Sequence, residues 1–339
     1  MDEIRENQIE KIYHLLQDDL SKYIFENRLM FSLTKDTKFM KNVVYTIKEA
    51  REIYDYLKTI KSKIGIFGAG RAGRYLLETY SDIEFECFID NNKIEDKCLK
   101  LPVVSLQEFK KKYSDGYIVI STKLYHREIL QQLIEEGFDQ KRIINVGIIT
   151  EKLSQLQYFD LTAIEKKQKE IFVDGGSYDG VTSLRFSNWC SGNGYVYAWE
   201  PDPNNLIKCK TLFETNNINY KLIPKGLWSS NKKLKLKANE ACSMITDNGD
   251  NEIEVDSIDR LIDKEVTFIK MDLEGSEYEA LLGAEKMIKR SKPKLAICVY
   301  HKPEDIWKLP WLIYKFNPEY KFYMRHYSFS WSETVLYAL

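Results

Sequence analysis

The stretch Ile171-Phe172-Val173-Asp174-Gly175-Gly176-Ser177-Tyr178-Asp179-Gly180 constrains the chain more than any other. A β-branched apolar run ends on an acid and meets two glycines. A third glycine follows just before a helical segment over 181–187. This is the pattern of a buried parallel strand handing over to a helix through a tight, ligand-facing turn. Glycine suits that turn because a Cβ would block the backbone's approach to a ligand. The helix start leaves N–H groups for a carboxylate or phosphate. Asp174 falls at the strand's carboxyl end, where open α/β sheets gather ligands.

Tyr195-Val196-Tyr197-Ala198-Trp199 forms the next strand and ends in Glu200-Pro201. An acid there can accept hydrogen bonds from both ribose hydroxyls of an adenosine ligand. The first loop reads Gly-Gly-x-x-x-Gly rather than Gly-x-Gly-x-x-Gly, which argues against a pyrophosphate cofactor in this half. Adenosine without pyrophosphate points to S-adenosylmethionine.

At 339 residues, two domains are the natural expectation. With 44% hydrophobic and 30% charged residues the composition is that of a globular protein. A formal charge of -1 provides no basic field for nucleic acid or an anionic membrane. No apolar run reaches membrane-spanning length. The N-terminus lacks a signal-peptide core, and Cys87, Cys98, Cys190, Cys209, Cys242 and Cys298 form no Cys-x-x-Cys pair. Reduced thiols in a cytoplasm, without a cysteine metal cluster or disulfide framework, are the expectation.

In chain order, residues 1–58 carry Ile9, Ile12, Leu16, Leu20 and Ile24 at helical spacing and read as a helical segment. Residues 59–148 read as a small Rossmann-like unit. There Ile64–Phe67 runs into Gly68-x-Gly70-x-x-Gly73, and the next strand, Phe85–Ile89, ends at Asp90. Gly68, Gly70, Gly73 and Asp90 therefore make a candidate second nucleotide site, with the acid where a ribose would sit. The same glycines also serve a turn without any ligand. Residues 149–170 form a polar connector, and 171–339 complete an α/β series. Within that series Lys233-Leu234-Lys235-Leu236-Lys237 reads as a half-exposed strand with solvated lysines.

Charged chemistry concentrates in Lys270-Met271-Asp272-Leu273-Glu274-Gly275-Ser276-Glu277, at the end of a fourth strand. Asp272 and Glu274 share parity. They are candidates to fix a ligand amino group, take a proton, or ligate a divalent ion. Glu277 reads in part as a helix-start acid. His301 closes the strand Leu295–Tyr300. A neutral imidazole there could deprotonate a hydroxyl; a hydrogen-bonded structural histidine is the other reading. His326 has a weaker claim to line the site.

These motifs carry a resemblance. Val173–Ser177, Trp199-Glu200-Pro201, Ile269–Glu277 and Arg325-His326-Tyr327 with Glu333–Tyr337 make residues 171–339 similar to the FkbM-type methyltransferases. That family usually has Gly-Ala where Gly176-Ser177 stands here. The resemblance implies a seven-stranded Rossmann-like methyltransferase sheet whose last strand is antiparallel, and S-adenosylmethionine-dependent methylation of a hydroxyl on a sugar, nucleotide-sugar or glycan precursor. It implies that Asp174, Gly175, Gly176 and Ser177 hold the methionine portion and Glu200 the ribose. Pro201 and Asp202 flank the adenine, and Gly226-Leu227 lines it. The catalytic candidates are His301 first, then Asp272 and Glu274. Residues 59–148 resemble the N-terminal unit of sugar acetyltransferases. Two alternatives stay open: an NAD(P)-dependent oxidoreductase or epimerase using the Gly68–Asp90 turn, and a non-catalytic nucleotide-sugar-binding protein.

Overall fold

The computed structural model describes residues 2–92, 96–237, 244–245 and 251–339, and they divide into two units. Cys242 lies outside the described residues; the other five cysteines are buried. One unit comprises residues 30–157 and 326–333, the other residues 1–29, 158–325 and 334–339. The helical segment expected over 1–58 is thus apportioned between the two. It consists of four helices, Asp2–Leu15, Asp19–Thr34, Thr37–Val44 and Lys48–Thr59.

The first of these units holds β1 (Ile64–Phe67), β2 (Phe85–Ile89), β3 (Lys97–Cys98), β4 (Leu101–Val104), β5 (Tyr117–Ile120) and β6 (Ile143–Asn145), in the order β3-β4-β2-β1-β5-β6. All pairings are parallel except β3 with β4. Apolar runs on the central strands bury both faces, as parallel sheets require. Phe67, Ile89, Phe109, Ile118 and Leu133 form the core on one side. Helix Leu106–Lys112 starts where its sequence says it should: Ser105 and Glu108 form a reciprocal capping box.

The other unit holds β7 (Glu170–Gly175), β8 (Gly194–Trp199), β9 (Tyr220–Ile223), β10 (Gly226–Leu227), β11 (Lys232–Lys237), β12 (Met244–Ile245), β13 (Asn251–Asp256), β14 (Phe268–Met271), β15 (Lys294–Cys298), β16 (Phe322–His326) and β17 (Thr334–Ala338). The expected seven-stranded sheet forms in the order β16-β17-β15-β14-β7-β8-β9. β17 runs antiparallel to β15, and β7, β8, β9, β14 and β15 are parallel. Phe172 stacks on Phe186 at 4.5 Å between centroids, and Phe159 and Phe268 close an aromatic core under β7.

A four-stranded sheet, β10-β13-β11-β12, was not legible in the sequence. Lys232, Lys233 and Lys235 are exposed, as a solvated strand face requires, but β11 is not an outer strand: β13 pairs it over Lys232–Leu236, with Lys233 opposite Glu254 and Lys235 opposite Glu252, and β12 pairs Leu236 and Lys237. Opposite charges directly across strands favour that register. The N-terminal helices cover the outer strand β16. Leu16 bridges Phe322, the Gln17 N–H donates to the Phe322 carbonyl at 3.0 Å, and Arg325 pairs with Asp18 at 2.7 Å. Row-end backbone groups that would invite pairing with another chain are thereby occupied.

Asp256, with no exposed side-chain surface, clamps the segment that carries Gly226-Leu227. It accepts from Asn231 at 3.0 Å, Lys225 at 3.3 Å and the Arg260 Nε at 2.6 Å. Burial raises its carboxyl, but these donors prevail and hold it at about 2, below the usual 3.8. A depressed carboxyl stabilises the fold above its unfolded value and loses that contribution as pH falls through the folded one. Because Arg260 is half exposed, the full shift is discounted. Asp256→Asn is expected to cost about 1–2 kcal/mol at neutral pH. In thermal unfolding, its deficit relative to the parent should shrink as pH drops from about 4 towards 2.

Candidate active site

Because β15, β14, β7 and β8 are neighbours in that order, four strand ends lie side by side along one sheet edge, about 4.8 Å apart per strand. The sequence motifs at those ends are Tyr300-His301, Asp272–Glu277, Gly175–Ser177 and Glu200. The fold makes one site of segments up to about 130 residues apart.

The turn after β7 is built on a buried cation. Lys270 Nζ donates to the Asp174 carboxylate at 3.1 Å and to the carbonyls of Gly175 and Gly176 at 3.1 and 2.8 Å. Asp174 is fully buried, and its second oxygen accepts from the Ser183 hydroxyl at 2.7 Å. The carboxylate expected to hold a ligand therefore shapes the turn from beneath. Burial disfavours the Lys270 charge, but Asp174 and Asp272 outweigh it and raise its pKa. Gly176 has φ of +75°, and a Cβ there would overlap the Asp272 carbonyl oxygen. Both facts demand glycine. Ser177 is buried, its hydroxyl donating to the Asp174 carbonyl at 3.0 Å.

Glu200, 6% exposed, lies against this turn. One oxygen accepts from the Tyr178 N–H and the other from the Asp202 N–H, both at 2.9 Å. The Asn205 side chain donates to this carboxylate as well, and its roughly four lone-pair sites leave acceptor capacity for a further donor. Burial raises the carboxyl, with the two backbone donors opposing. Asp202 caps helix Pro203–Thr215 by accepting from the Asn204 and Asn205 N–H groups, and Pro201 is half-buried beside it. Gly226 and Leu227 are buried, the Leu227 side chain lying against Gly175.

At the other side of Lys270, Asp272 accepts from the Tyr158 and Tyr300 phenols at 3.1 Å each. Burial works against its charge; Lys270, His301 and the two phenols together hold it below the usual carboxylate range. Glu274 adopts φ of +52°, rare for a residue with a side chain. The His301 Nε2 lies 3.4 Å from Asp272 and 3.6 Å from Glu274, and its Nδ1 2.8 Å from Glu277. None of these has the direction of a hydrogen bond, so they are ion contacts. Burial disfavours the imidazolium, yet Glu277, Asp272 and Glu274 push it up to about 9. Lys270, Glu277, Tyr158 and Tyr300 thus belong to the site although sequence reasoning gave them little or no role there. Tyr300 had a signal, adjacency to His301. Tyr158, in the connector, had none. His326 is buried on the unit of residues 30–157 and 326–333.

In that other unit, Gly68, Gly70 and Gly73 form the strand-to-helix turn, and a Cβ on Gly73 would overlap the Gly68 carbonyl. Asp90 accepts from the Ala69 and Asn92 N–H groups, both at 2.9 Å. The acid thus braces the glycine turn itself.

The strand order with its antiparallel last member, and the four motifs on one edge, define a Rossmann-like methyltransferase fold. Residues 174–330 match the family model described as methyltransferase FkbM domain. Residues 60–144 match a model described as C2185-like, N-terminal, rather than one of sugar acetyltransferases. The structure is similar to that of methyltransferase FkbM from Methylobacillus flagellatus KT, at 19% identity and TM-score 0.53, over 85% of this chain and 93% of that one. It is more distantly similar to Aeropyrum pernix fibrillarin in complex with S-adenosyl-L-methionine, at 14% identity and TM-score 0.37, over 56% and 74% of the two chains. No curated protein sequence matches. The family-model match over residues 174–330 supports a methyltransferase; it favours neither the oxidoreductase nor the non-catalytic alternative. Among the described residues, no helix is long and apolar enough to cross a membrane.

Removing one partner of a buried ion pair leaves an uncompensated charge. Lys270→Met should therefore lower stability by about 3–5 kcal/mol, read in denaturant unfolding. Adding Asp174→Asn should recover part of that loss. A single substitution without effect would remove Lys270 as the turn's organiser.

Proposed function

We propose that the unit bearing the seven-stranded sheet uses S-adenosylmethionine to methylate a hydroxyl of a sugar, nucleotide-sugar or glycan precursor. The observation that carries this reading is Glu200, a buried carboxylate held against the Gly175–Ser177 turn with acceptor capacity left beyond its protein donors. That arrangement suits the two hydroxyls of a ribose beside a cradle for the amino acid end. Asp174 serves the cradle indirectly, through the turn that it and Lys270 shape. Leu227 supplies an apolar wall. When bound, the donor brings a sulfonium methyl group open to in-line displacement by an acceptor oxygen.

The chain's part is to place that oxygen and receive its proton. Proximity contributes most. Asp272, ionised and aimed by two phenols, is the proton acceptor this geometry favours, with Glu274 beside it. With no cation bound beside it, His301 carries a proton at neutral pH and acts there as their countercharge. It becomes a base only once that proton is removed. The polar rim of Asp272, Glu274, Tyr158 and Tyr300 suits a hydroxylated acceptor, whose groups both donate and accept. With a formal charge of -1, the chain has no basic field for nucleic acid.

Methyl-labelled S-adenosylmethionine incubated with the protein and a panel of sugars and nucleotide sugars tests the reaction. Label in a sugar ether supports it. Failure of the protein to bind S-adenosylhomocysteine in calorimetry overturns it. Glu200→Ala should weaken that binding at least tenfold, about 1.4 kcal/mol, while thermal unfolding confirms an intact fold.

A further inference from the structure

Asp272, Glu277 and His301 each offer a ligand atom, and these atoms all lie within 4.8 Å of one another. We propose that they form a divalent-cation site of mixed oxygen and nitrogen donors, of the kind that takes Mn2+.

Glu277 separates this reading from a mere charge cluster. It is completely buried, and one oxygen, Oε1, is committed to the Leu273 N–H at 2.7 Å. The other oxygen, Oε2, is buried without a hydrogen-bond partner. A buried carboxylate oxygen left unpaired is costly, and a helix-start acid would turn it to solvent or to a backbone N–H. Neither ring nitrogen of His301 makes a directed hydrogen bond either, although three carboxylates surround the ring. Glu277 lies against one ring nitrogen and Asp272 and Glu274 against the other, close enough for one cation to replace the imidazole proton as their shared partner.

The three ligands come from rigid places: Asp272 from the end of β14, Glu277 from the start of helix Glu277–Leu282, and His301 from just past β15. Their support is also built. Tyr158 and Tyr300 orient Asp272 and the Leu273 N–H orients Glu277, as outer groups orient metal ligands. Lys270 does not fill this role, because its ammonium is engaged with Asp174 and two carbonyls. Glu274 stands at the open side, 3.6 Å from the His301 Nε2. Two carboxylates and one imidazole, which gives up its proton to solvent as the ion binds, suit a cation that accepts both oxygen and nitrogen. On the methyltransferase reading, on which this role rests, the ion would bind the acceptor oxygen and ease loss of its proton.

The test uses the full chain, stripped with a chelator and titrated with Mn2+, free ion being followed by electron paramagnetic resonance. One saturable site per chain is expected. Glu277→Gln, Asp272→Asn and His301→Ala should each weaken it at least tenfold, whereas Glu252→Gln, on β13, should not. Mn2+ should also raise the melting temperature of the parent but not of Glu277→Gln. Because a variant can fail to fold, the parent alone supplies a second reading: electron spin-echo modulation should show nitrogen coupled to the bound ion. Absence of saturable binding, binding indifferent to the three substitutions, or bound Mn2+ without nitrogen coupling would each overturn the site. None of these readouts involves methyl transfer. Mn2+ binding without S-adenosylhomocysteine binding would sink the enzymatic reading alone, and the reverse would sink only the metal site.

Discussion

The site depends on one buried ammonium. Lys270 lies on the central strand β14, yet its charge is satisfied by a carboxylate and two carbonyls at the end of neighbouring β7. A lysine in a sheet interior is tolerated only with such full compensation. The pairing has geometric consequences. It draws the Asp174–Gly176 backbone towards β14 so closely that Gly176 sits on the Asp272 carbonyl and admits no Cβ. The glycine turn after β7 and the Asp272 carboxylate thus share one anchor.

From that anchor the charges separate by function. Asp174 is closed off, its oxygens spent on Lys270 and Ser183. Asp272, two residues beyond Lys270, borrows the same positive field but keeps part of its surface open. Asp305, also near this cluster, is pushed up to about 7 by burial and by Glu277. Arg28, on the N-terminal helix, faces Asp305 and Tyr300 and is lowered to about 10 by its burial. The helices that cover β16 therefore also deliver a cation to the back of the acidic group. Residues 1–29, which had no readable chemistry, take part in its electrostatics.

What could be read from sequence follows from how local each signal is. Strand-to-turn-to-helix punctuation at Asp174–Gly180, the acid at Glu200 and the Asp272–Glu277 cluster are each contained within ten residues, and strand order then aligns them. The β1 glycine turn was equally local. The four-stranded sheet was not, since it depends on Lys233 and Lys235 meeting Glu254 and Glu252 across a long excursion. Tyr158 was invisible for the same reason: it reaches Asp272 across 114 residues. Lys270 was visible as a charge, but only the parallel register of β14 with β7 shows that it points at Asp174 rather than at solvent. Glu277 read as an ordinary helix-start acid until its burial was known.

Cost and purpose meet at this last group. Glu274 is held in a left-handed conformation, at about 1–3 kcal/mol, and Glu277 keeps an oxygen buried and unpaired. Three carboxylates around one imidazole repel each other more than a stable core would permit by chance. Both residues border His301, Glu274 at 3.6 Å from its Nε2 and Glu277 at 2.8 Å from its Nδ1. A structure optimised for stability alone would replace Glu277 with an apolar residue and relax Glu274 into an ordinary turn. That it does neither places the strain at the carboxyl edge of the sheet, where the proposed cation would recover it.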